Sequence, residues 1–143
     1  MTELVSVVDD IVHVPTQTEG AGVDVTVEEV LEITDPGRID FGGGELDPAG
    51  IDPHDRQHRN PDDDYEWWHL DAGVYLVAFN ESLSLPDDRL AVVQPRAELL
   101  ARGGSHPTVR TDSLDRLPVT VGGAGLRVKE NARVSTVIGL DNR

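Results

Sequence analysis

Residues 85–104, LPDDRLAVVQPRAELLARGG, decide the fold of this chain. The stretch begins as a turn and continues as an apolar segment over residues 90–94, which predicts a short strand. It bends at Pro95-Arg96 and closes with residues 97–101, whose apolar spacing predicts a small amphipathic helical turn. Two glycines end that turn.

Short apolar segments recur along the chain, with Gly-rich or Pro-containing turns between them. The predicted strands are 23–33, 65–70, 73–79, 83–85, 90–94, 117–121, 126–128 and 133–140, with a strand or a short helix over 5–14. The longest interval, 42–64, is rich in Gly, Pro, Asp and Arg and predicts an acidic loop insertion. We therefore expect a single all-β domain over residues 1–143, a barrel or sandwich with one short helical turn.

The charge balance is strongly acidic. Twenty-seven acids oppose twelve bases, for a formal net charge of -15, and Lys129 is the only lysine. Such a surface repels nucleic acid and anionic lipid, so neither is an expected partner. The excess of acid fits either a solubilising surface or, as we favour, adaptation to high salt, where the charges are screened.

The sequence shows no secretory signal and no apolar run of the roughly 20 residues that cross a bilayer. The expected location is therefore the cytoplasm. Cysteine is absent, which excludes disulfides and thiolate metal sites. Aromatic residues are only 4% of the chain, so the core must be built from aliphatic side chains.

Four segments, taken in order, resemble the motifs of one known family. They are 21–25 (AGVDV), 70–77 (LDAGVYLV), 94–96 (QPR) and 126–137 (LRVKENARVSTV). Each is weak alone, but their order is similar to that of the dUTPase and dCTP deaminase superfamily. The resemblance implies a dUTPase-like β-barrel of the β-clip type. It also implies a homotrimer, since that family builds its sites between subunits.

The resemblance also implies an activity and a set of site residues. The activity is hydrolysis of dUTP, a deoxynucleoside triphosphate, to dUMP and pyrophosphate, with Mg²⁺ accompanying the nucleotide. Asp112 stands where the family's base activates water, and Arg96 stands in the phosphate corner. Asp24 would support the site, and Arg133 and Ser135 fall in the fourth motif as substrate-binding candidates. No separate set of metal-ligating residues is predicted.

Several departures from the family's motifs support an alternative. After Pro-Arg the family carries Ser and then Ser or Gly, whereas this chain has Ala97 and Glu98. The third motif, over residues 109–116, lacks the family's Tyr and glycines, and Ser135 replaces a Gln. No Phe-containing glycine tail follows Leu140. The alternative is a homologue without catalysis that binds nucleotide or serves as a structural subunit.

A dCTP deaminase is a further alternative with less support. Deamination requires a Glu at the end of the strand after the third motif, and the strand 117–121 ends in Val121. The serine of the second motif is also missing.

Two other groups of residues are candidates for binding roles. His54, His58 and His69, near Asp62–Asp64, form either a transition-metal site or part of a solvated acidic loop. Trp67 and Trp68 are adjacent on a predicted strand and must face opposite sides. One of them belongs in the core, and the other can cover a pocket or an interface.

Overall fold

The computed structural model describes residues 2–143 and consists mostly of strands, which hold 49% of the chain against 9% in helices. The predicted all-β class is confirmed. In chain order the elements are α1 (Thr2–Val7), β1 (Val8–Asp9), α2 (Val14–Gln17), β2 (Val23–Asp35), β3 (Gly50–Pro53), β4 (Arg56–His58), β5 (Glu66–Leu70), β6 (Gly73–Phe79), β7 (Ser82–Leu83), β8 (Arg89–Pro95), α3 (Ala97–Leu100), β9 (Gly104–Ser105), β10 (Val109–Thr111), β11 (Leu117–Val121), β12 (Leu126–Lys129) and β13 (Arg133–Asn142).

One large antiparallel sheet organises the molecule. Its strand order is β10-β8-β13-β2-β6-β11-β9, and β3 pairs with β2 beside that path. Smaller sheets are formed by β12-β5-β4 and by β1-β7. The pairing of β13 with its neighbours shifts register at two places, between Arg133 and Ser135 and between Val137 and Gly139. Such bulges bend a strand, which suits a sheet that curls around a core.

Valine dominates that core. The most deeply buried aliphatic side chains come from β2, β8 and β13: Val23, Val25, Val27, Val30, Ala91, Val93 and Val137. Trp68 is buried with them, whereas Trp67 is only half-buried. The two tryptophans therefore face opposite sides of β5, as their adjacency predicted.

Two segments differ from the prediction. The loop expected over residues 42–64 is corrected, since it contains β3, which pairs with β2, and β4, which pairs with β5. The single helical turn expected near residues 97–101 is present as α3, but α1 and α2 add two short helices. In α2, His13 caps the helix by accepting a hydrogen bond from the Thr16 amide. Among residues 2–143, no helix is long and apolar enough to cross a membrane.

The sheet brings the ends of three strands together. In β13, Thr136 lies opposite Asp24 of β2 on one side and Gln94 of β8 on the other. Strand β8 ends at Pro95, where a proline cannot donate to a ladder, and the chain turns into α3. Side chains from the start of β2, the start of β13 and the end of β8 consequently converge.

Candidate functional site

A buried carboxylate stands at the centre of this convergence. Arg133 Nη1 donates to Asp24 Oδ2 at 3.1 Å, and Arg96 Nε lies 3.4 Å from the same oxygen. The other oxygen, Oδ1, accepts from the Thr136 hydroxyl at 2.6 Å. The Asp24 side chain is 7% exposed, while those of Arg96 and Arg133 are 19% and 24% exposed. Asp24 thus fixes two guanidinium groups that remain partly open to solvent.

Backbone contacts fix the position of Arg96 further. Its amide donates to the carbonyl of Val134 at 2.9 Å, and its Nη1 donates to the carbonyl of Arg133 at 3.0 Å. The corner after β8 is therefore tied to the first residues of β13. Because the side chain and the backbone bind the same strand, the guanidinium is held in one orientation before any ligand arrives.

Arg133 also has a second partner. Its Nη1 donates to Glu19 at 2.9 Å, and this bond, together with the charges of Asp24 and Glu19, raises the already high pKa of Arg133 against the opposing effect of burial. The guanidinium therefore stays charged throughout the range in which proteins are folded. It can offer a permanent positive charge to an anion.

Asp24 and Arg96 line an open cleft of about 450 Å³, and Arg133 pairs with two of its lining carboxylates, those of Asp24 and Glu19. Its lining includes Glu19, Asp24, Arg96 and the loop that precedes β2. Glu98 of α3 also lies 3.4 Å from Arg96 Nη2. The two guanidinium groups consequently face three carboxylates, of which Glu19 and Glu98 are exposed and Asp24 is buried. The site predicted from the sequence contains Arg96, Asp24 and Arg133, and the structure brings these three side chains together.

A second buried acid, Glu81, was not anticipated. Its carboxylate accepts from the amide of Thr26 at 2.8 Å, the hydroxyl of Thr26 at 2.6 Å and the side-chain amide of Gln17 at 2.8 Å. Gln17 also donates to the carbonyl of Asp24 at 2.8 Å. This network ties α2 to β2 behind the cleft. In so acidic a chain an isolated Glu is typical of a solvated turn, so the sequence carried no signal for it.

Asp112 lies away from the cleft. It follows β10, whose residue Thr111 pairs with Ala91 near the start of β8, whereas Arg96 follows the end of β8. Asp112 accepts from Arg143 Nη2 at 3.1 Å and is exposed. The interval from Leu90 to Arg96 spans about 20 Å at roughly 3.3 Å per residue. Within one copy of the chain, Asp112 and Arg96 therefore cannot contact the same phosphate group.

Ser135 is also separated from the cleft. Its side chain is fully buried, and its hydroxyl lies 2.8 Å from His106 Nε2. The other ring nitrogen of His106 lies 2.8 Å from the carbonyl of Pro107. A carbonyl can only accept, so that nitrogen donates to it, and in the neutral ring Nε2 accepts from the Ser135 hydroxyl. The expectation that Ser135 contacts substrate is corrected: its hydroxyl is committed to a buried histidine.

The histidines of the acidic segment do not converge either. His54 Nδ1 lies 3.4 Å from Glu32, and its other ring nitrogen lies 2.9 Å from the carbonyl of His69. Among residues 2–143, no three His, Asp or Glu side chains are grouped so that they could hold a metal ion. The transition-metal hypothesis has no support in this arrangement.

Comparison with known proteins shows the family to which this chain is related. The chain is 30% identical over 135 residues to the "Probable deoxyuridine 5'-triphosphate nucleotidohydrolase" of Methanosarcina acetivorans, an alignment that covers 91% of this chain and 75% of that protein. The chain belongs to the dUTPase/dCTP deaminase superfamily. A protein of the same name from Methanococcoides burtonii is 33% identical over 108 residues, which are 74% of this chain and 59% of the relative. No family model matches the chain.

Further comparisons extend the superfamily assignment. The relative from Halobacterium salinarum, again named a probable deoxyuridine triphosphate nucleotidohydrolase, is 32% identical over 85 residues, 59% of this chain and 49% of that protein. Among solved structures, a 2'-deoxycytidine 5'-triphosphate deaminase from Agrobacterium tumefaciens matches with a TM-score of 0.58. It is 16% identical, and the match covers 92% of this chain and 42% of the deaminase chain. That likeness shows the superfamily's fold.

Proposed function

We propose that this chain is a cytoplasmic homotrimer that hydrolyses dUTP to dUMP and pyrophosphate. The observation that carries the proposal is the buried carboxylate of Asp24, which lines an open cleft together with Arg96 and pairs with both Arg96 and Arg133. Two guanidinium groups fixed in this way suit the oxygens of a polyphosphate. The names of the relatives supply the nucleotide.

Binding requires the phosphates to displace two carboxylates. Glu19 and Glu98 pair with the arginines, but their side chains are 61% and 58% exposed. Exposed ion pairs contribute only about 0–1 kcal/mol, so a phosphate oxygen can replace them. Asp24 stays beneath the arginines and keeps them oriented. The chain as a whole repels a polyanion, so binding depends on the local positive potential of Arg96 and Arg133.

Hydrolysis requires a carboxylate beside the α-phosphorus. In the proposed step, Asp112 of a neighbouring copy accepts a proton from a water molecule, whose oxygen bonds to the α-phosphorus. The bond from that phosphorus to the bridging oxygen breaks, and pyrophosphate leaves with the electron pair. Asp112 must first release Arg143, with which it forms an exposed ion pair. The distance between Asp112 and Arg96 within one copy is the reason for placing the site between copies.

The carboxylates at the cleft are suited to a Mg²⁺ ion that enters already bound to the nucleotide's phosphates. Among the described residues no preformed metal cluster is present, while Glu19 and Glu98 are exposed carboxylates at the rim. Mg²⁺ commonly takes one or two carboxylates together with substrate phosphates. When bound in this way, Mg²⁺ offsets the phosphate charge that these carboxylates would otherwise repel.

One observation favours a second candidate, a homologue that binds nucleotide without hydrolysing it. Ala97 and Glu98 occupy the corner in which the superfamily carries hydroxyl or glycine residues, and Glu98 pairs with Arg96. In this candidate the cleft binds nucleotide, and Asp112 has no catalytic role. The two candidates therefore differ in turnover and not in binding.

Pyrophosphate release distinguishes the two candidates. Purified protein in molar KCl with Mg²⁺ is assayed with dUTP, dCTP, dTTP and UTP, beside Asp112→Asn, and ammonia release from dCTP is measured in parallel. Turnover of dUTP that Asp112→Asn abolishes supports hydrolysis. Equal background in both proteins with all four nucleotides contradicts it. Ammonia release from dCTP would instead indicate deamination.

Titration calorimetry with a non-hydrolysable dUTP analogue tests the cleft itself. Arg96→Ala should weaken binding at least tenfold, because it removes one of two cations that face the phosphates. The double variant Ala97→Ser/Glu98→Ser should tighten binding, because it removes a carboxylate and adds hydroxyl donors. Arg116→Ala, an exposed arginine outside the cleft lining, is the control. Unchanged affinity in Arg96→Ala would exclude the cleft as the nucleotide site.

A further inference from the structure

Three cations of this acidic chain stand without an acidic partner. Arg102, Arg127 and Lys129 form no ion pair with any carboxylate of residues 2–143, although acids outnumber bases by more than two to one. Arg116 is the one other cation of that region without such a pair. In a chain with this excess of acid, unpaired cations clustered in one place indicate a site for an anionic partner.

The three cations border the same concavity. It has a volume of about 230 Å³, with an apolar floor that includes Leu99 and Val128 and a wall formed by Trp67. Glu98 and Arg133, which pair with residues of the Arg96 cleft, also line it. Lys129 Nζ lies 4.8 Å from the ring centre of Tyr65 and 5.8 Å from that of Trp67. We call this concavity the Trp67 pocket. Its occupant should be apolar at the centre and acidic at the edge.

A segment with that character follows the far end of β2. Residues 38–47, RIDFGGGELD, form an exposed loop in which Ile39 is 93% exposed and Phe41 is 107% exposed. Leu46 is also exposed, and the acids Asp40 and Glu45 flank these side chains. We call this segment the RIDF loop. Fully exposed apolar side chains grouped at one tip are typical of a contact surface.

The RIDF loop is held in shape before it meets a partner. Arg38 and Asp47 exchange two backbone hydrogen bonds, of 2.9 and 3.0 Å, and their side chains form an ion pair at 2.7 Å. Within the loop, Asp40 accepts from the amides of Gly43 at 3.0 Å and Glu45 at 2.9 Å. A loop ordered in advance loses less conformational entropy when it docks.

The RIDF loop cannot reach the Trp67 pocket of its own chain. Arg133, which lines the pocket, pairs with Thr26 in β2, and the loop begins only after Asp35, at the far end of that strand. The nine residues from Thr26 to Asp35 cover up to about 30 Å of strand at roughly 3.3 Å each. An RIDF loop that fills the pocket must therefore belong to a second copy.

We propose that the RIDF loop of one copy docks in the Trp67 pocket of the next, with Phe41 on the apolar floor and Asp40 and Glu45 facing the three unpaired cations. The contact joins two different surfaces, so it repeats head to tail and closes into a ring where the rotation allows. The inference rests on the self-association in the proposed function and is independent of hydrolysis. It supplies the residues that hold the copies together.

Complementation between two variants tests the contact. Ile39→Ser/Phe41→Ser removes the loop's apolar side chains, and Arg127→Glu/Lys129→Glu reverses the charge of the pocket rim. In light scattering in molar KCl, each variant alone should fall to the 15.5 kDa monomer. An equimolar mixture should form a dimer and nothing larger, because only one intact loop and one intact pocket can meet. Val12→Ser and Arg116→Glu, changes of the same kind elsewhere on the surface, should keep the wild-type mass.

A covalent test does not depend on those variants remaining folded. Because the chain has no cysteine, Phe41→Cys/Arg102→Cys should form disulfides only between copies, which non-reducing electrophoresis displays as dimers and larger species. The proposal is overturned if wild-type protein is monomeric, if both loop and pocket variants keep the wild-type mass, or if no cross-link forms. It is also overturned if the pocket variant loses nucleotide affinity while its mass is unchanged, since the pocket would then hold a ligand.

Discussion

Arg133 Nη1 donates to Asp24 Oδ2 at 3.1 Å and so joins the first residue of β13 to the second residue of β2, across 109 positions of sequence. The same guanidinium reaches Glu19 and the carbonyl of Thr16, in the segment before β2. The bond therefore orders the cleft and fastens two central strands of the sheet. Its role in the cleft is tested by nucleotide binding, and its role between the strands is tested by protein stability.

Loss of Asp24 should destabilise the fold. Asp24→Ala leaves Arg96 and Arg133 largely buried with their main counter-charge removed, which should cost about 3 kcal/mol in the free energy of unfolding. The matched control is Asp47→Ala, which breaks an exposed pair with Arg38 and should cost no more than about 1 kcal/mol. Denaturant unfolding in molar KCl measures both values. Equal losses would mean that Asp24 has no special structural role.

Gly22 should not tolerate a side chain. A Cβ at this position would lie 2.1 Å from the carbonyl oxygen of Val137, so the backbones of β2 and β13 would have to separate. Gly22→Ala should lower the free energy of unfolding by about 2 kcal/mol or more. Gly20→Ala, where a Cβ meets nothing within 4 Å, should stay within about 0.5 kcal/mol of wild type. Thermal unfolding of the two variants decides the matter, and a stable Gly22→Ala would contradict the close approach.

This glycine shows what the motif could and could not predict. Gly22 lies in the first of the four motif segments, directly before the strand that carries Asp24. The structure gives the reason for a glycine here. Gly22 is not in the left-handed region, but the backbone of β13 lies so close that no side chain fits. Strand pairing over more than a hundred residues sets that contact, and no local pattern contains it.

The strands themselves were easier to predict than their surroundings. Apolar and polar residues alternate in the first half of the segment 23–33, which is typical of a strand, and the segment forms β2. The valines of that half are buried. The polar residues Asp24 and Thr26 on the opposite face are buried too. Their burial depends on Arg133 and Glu81, which arrive from distant elements. Periodicity predicts which face is apolar and cannot show that polar partners will cover the other.

Charge should make the fold dependent on salt. A net charge of -15 on 143 residues produces strong self-repulsion, and the screening length falls to about 3 Å at 1 M salt. We expect cooperative folding in molar KCl and its loss at about 50 mM salt, where charges interact over longer distances. Circular dichroism across a KCl series measures the transition. Full cooperative folding at the low concentration would argue against adaptation to high salt.

The most direct test of a hydrolytic site shared between copies uses two inactive variants together. Arg96→Ala retains Asp112, and Asp112→Asn retains Arg96, so each alone should release no pyrophosphate from dUTP. Co-expressed and purified as mixed assemblies, they should recover about a quarter of wild-type turnover, because random head-to-tail pairing restores that share of sites. If the mixture stays as inactive as the single variants while wild type turns over dUTP, Asp112 and Arg96 do not form one site between copies.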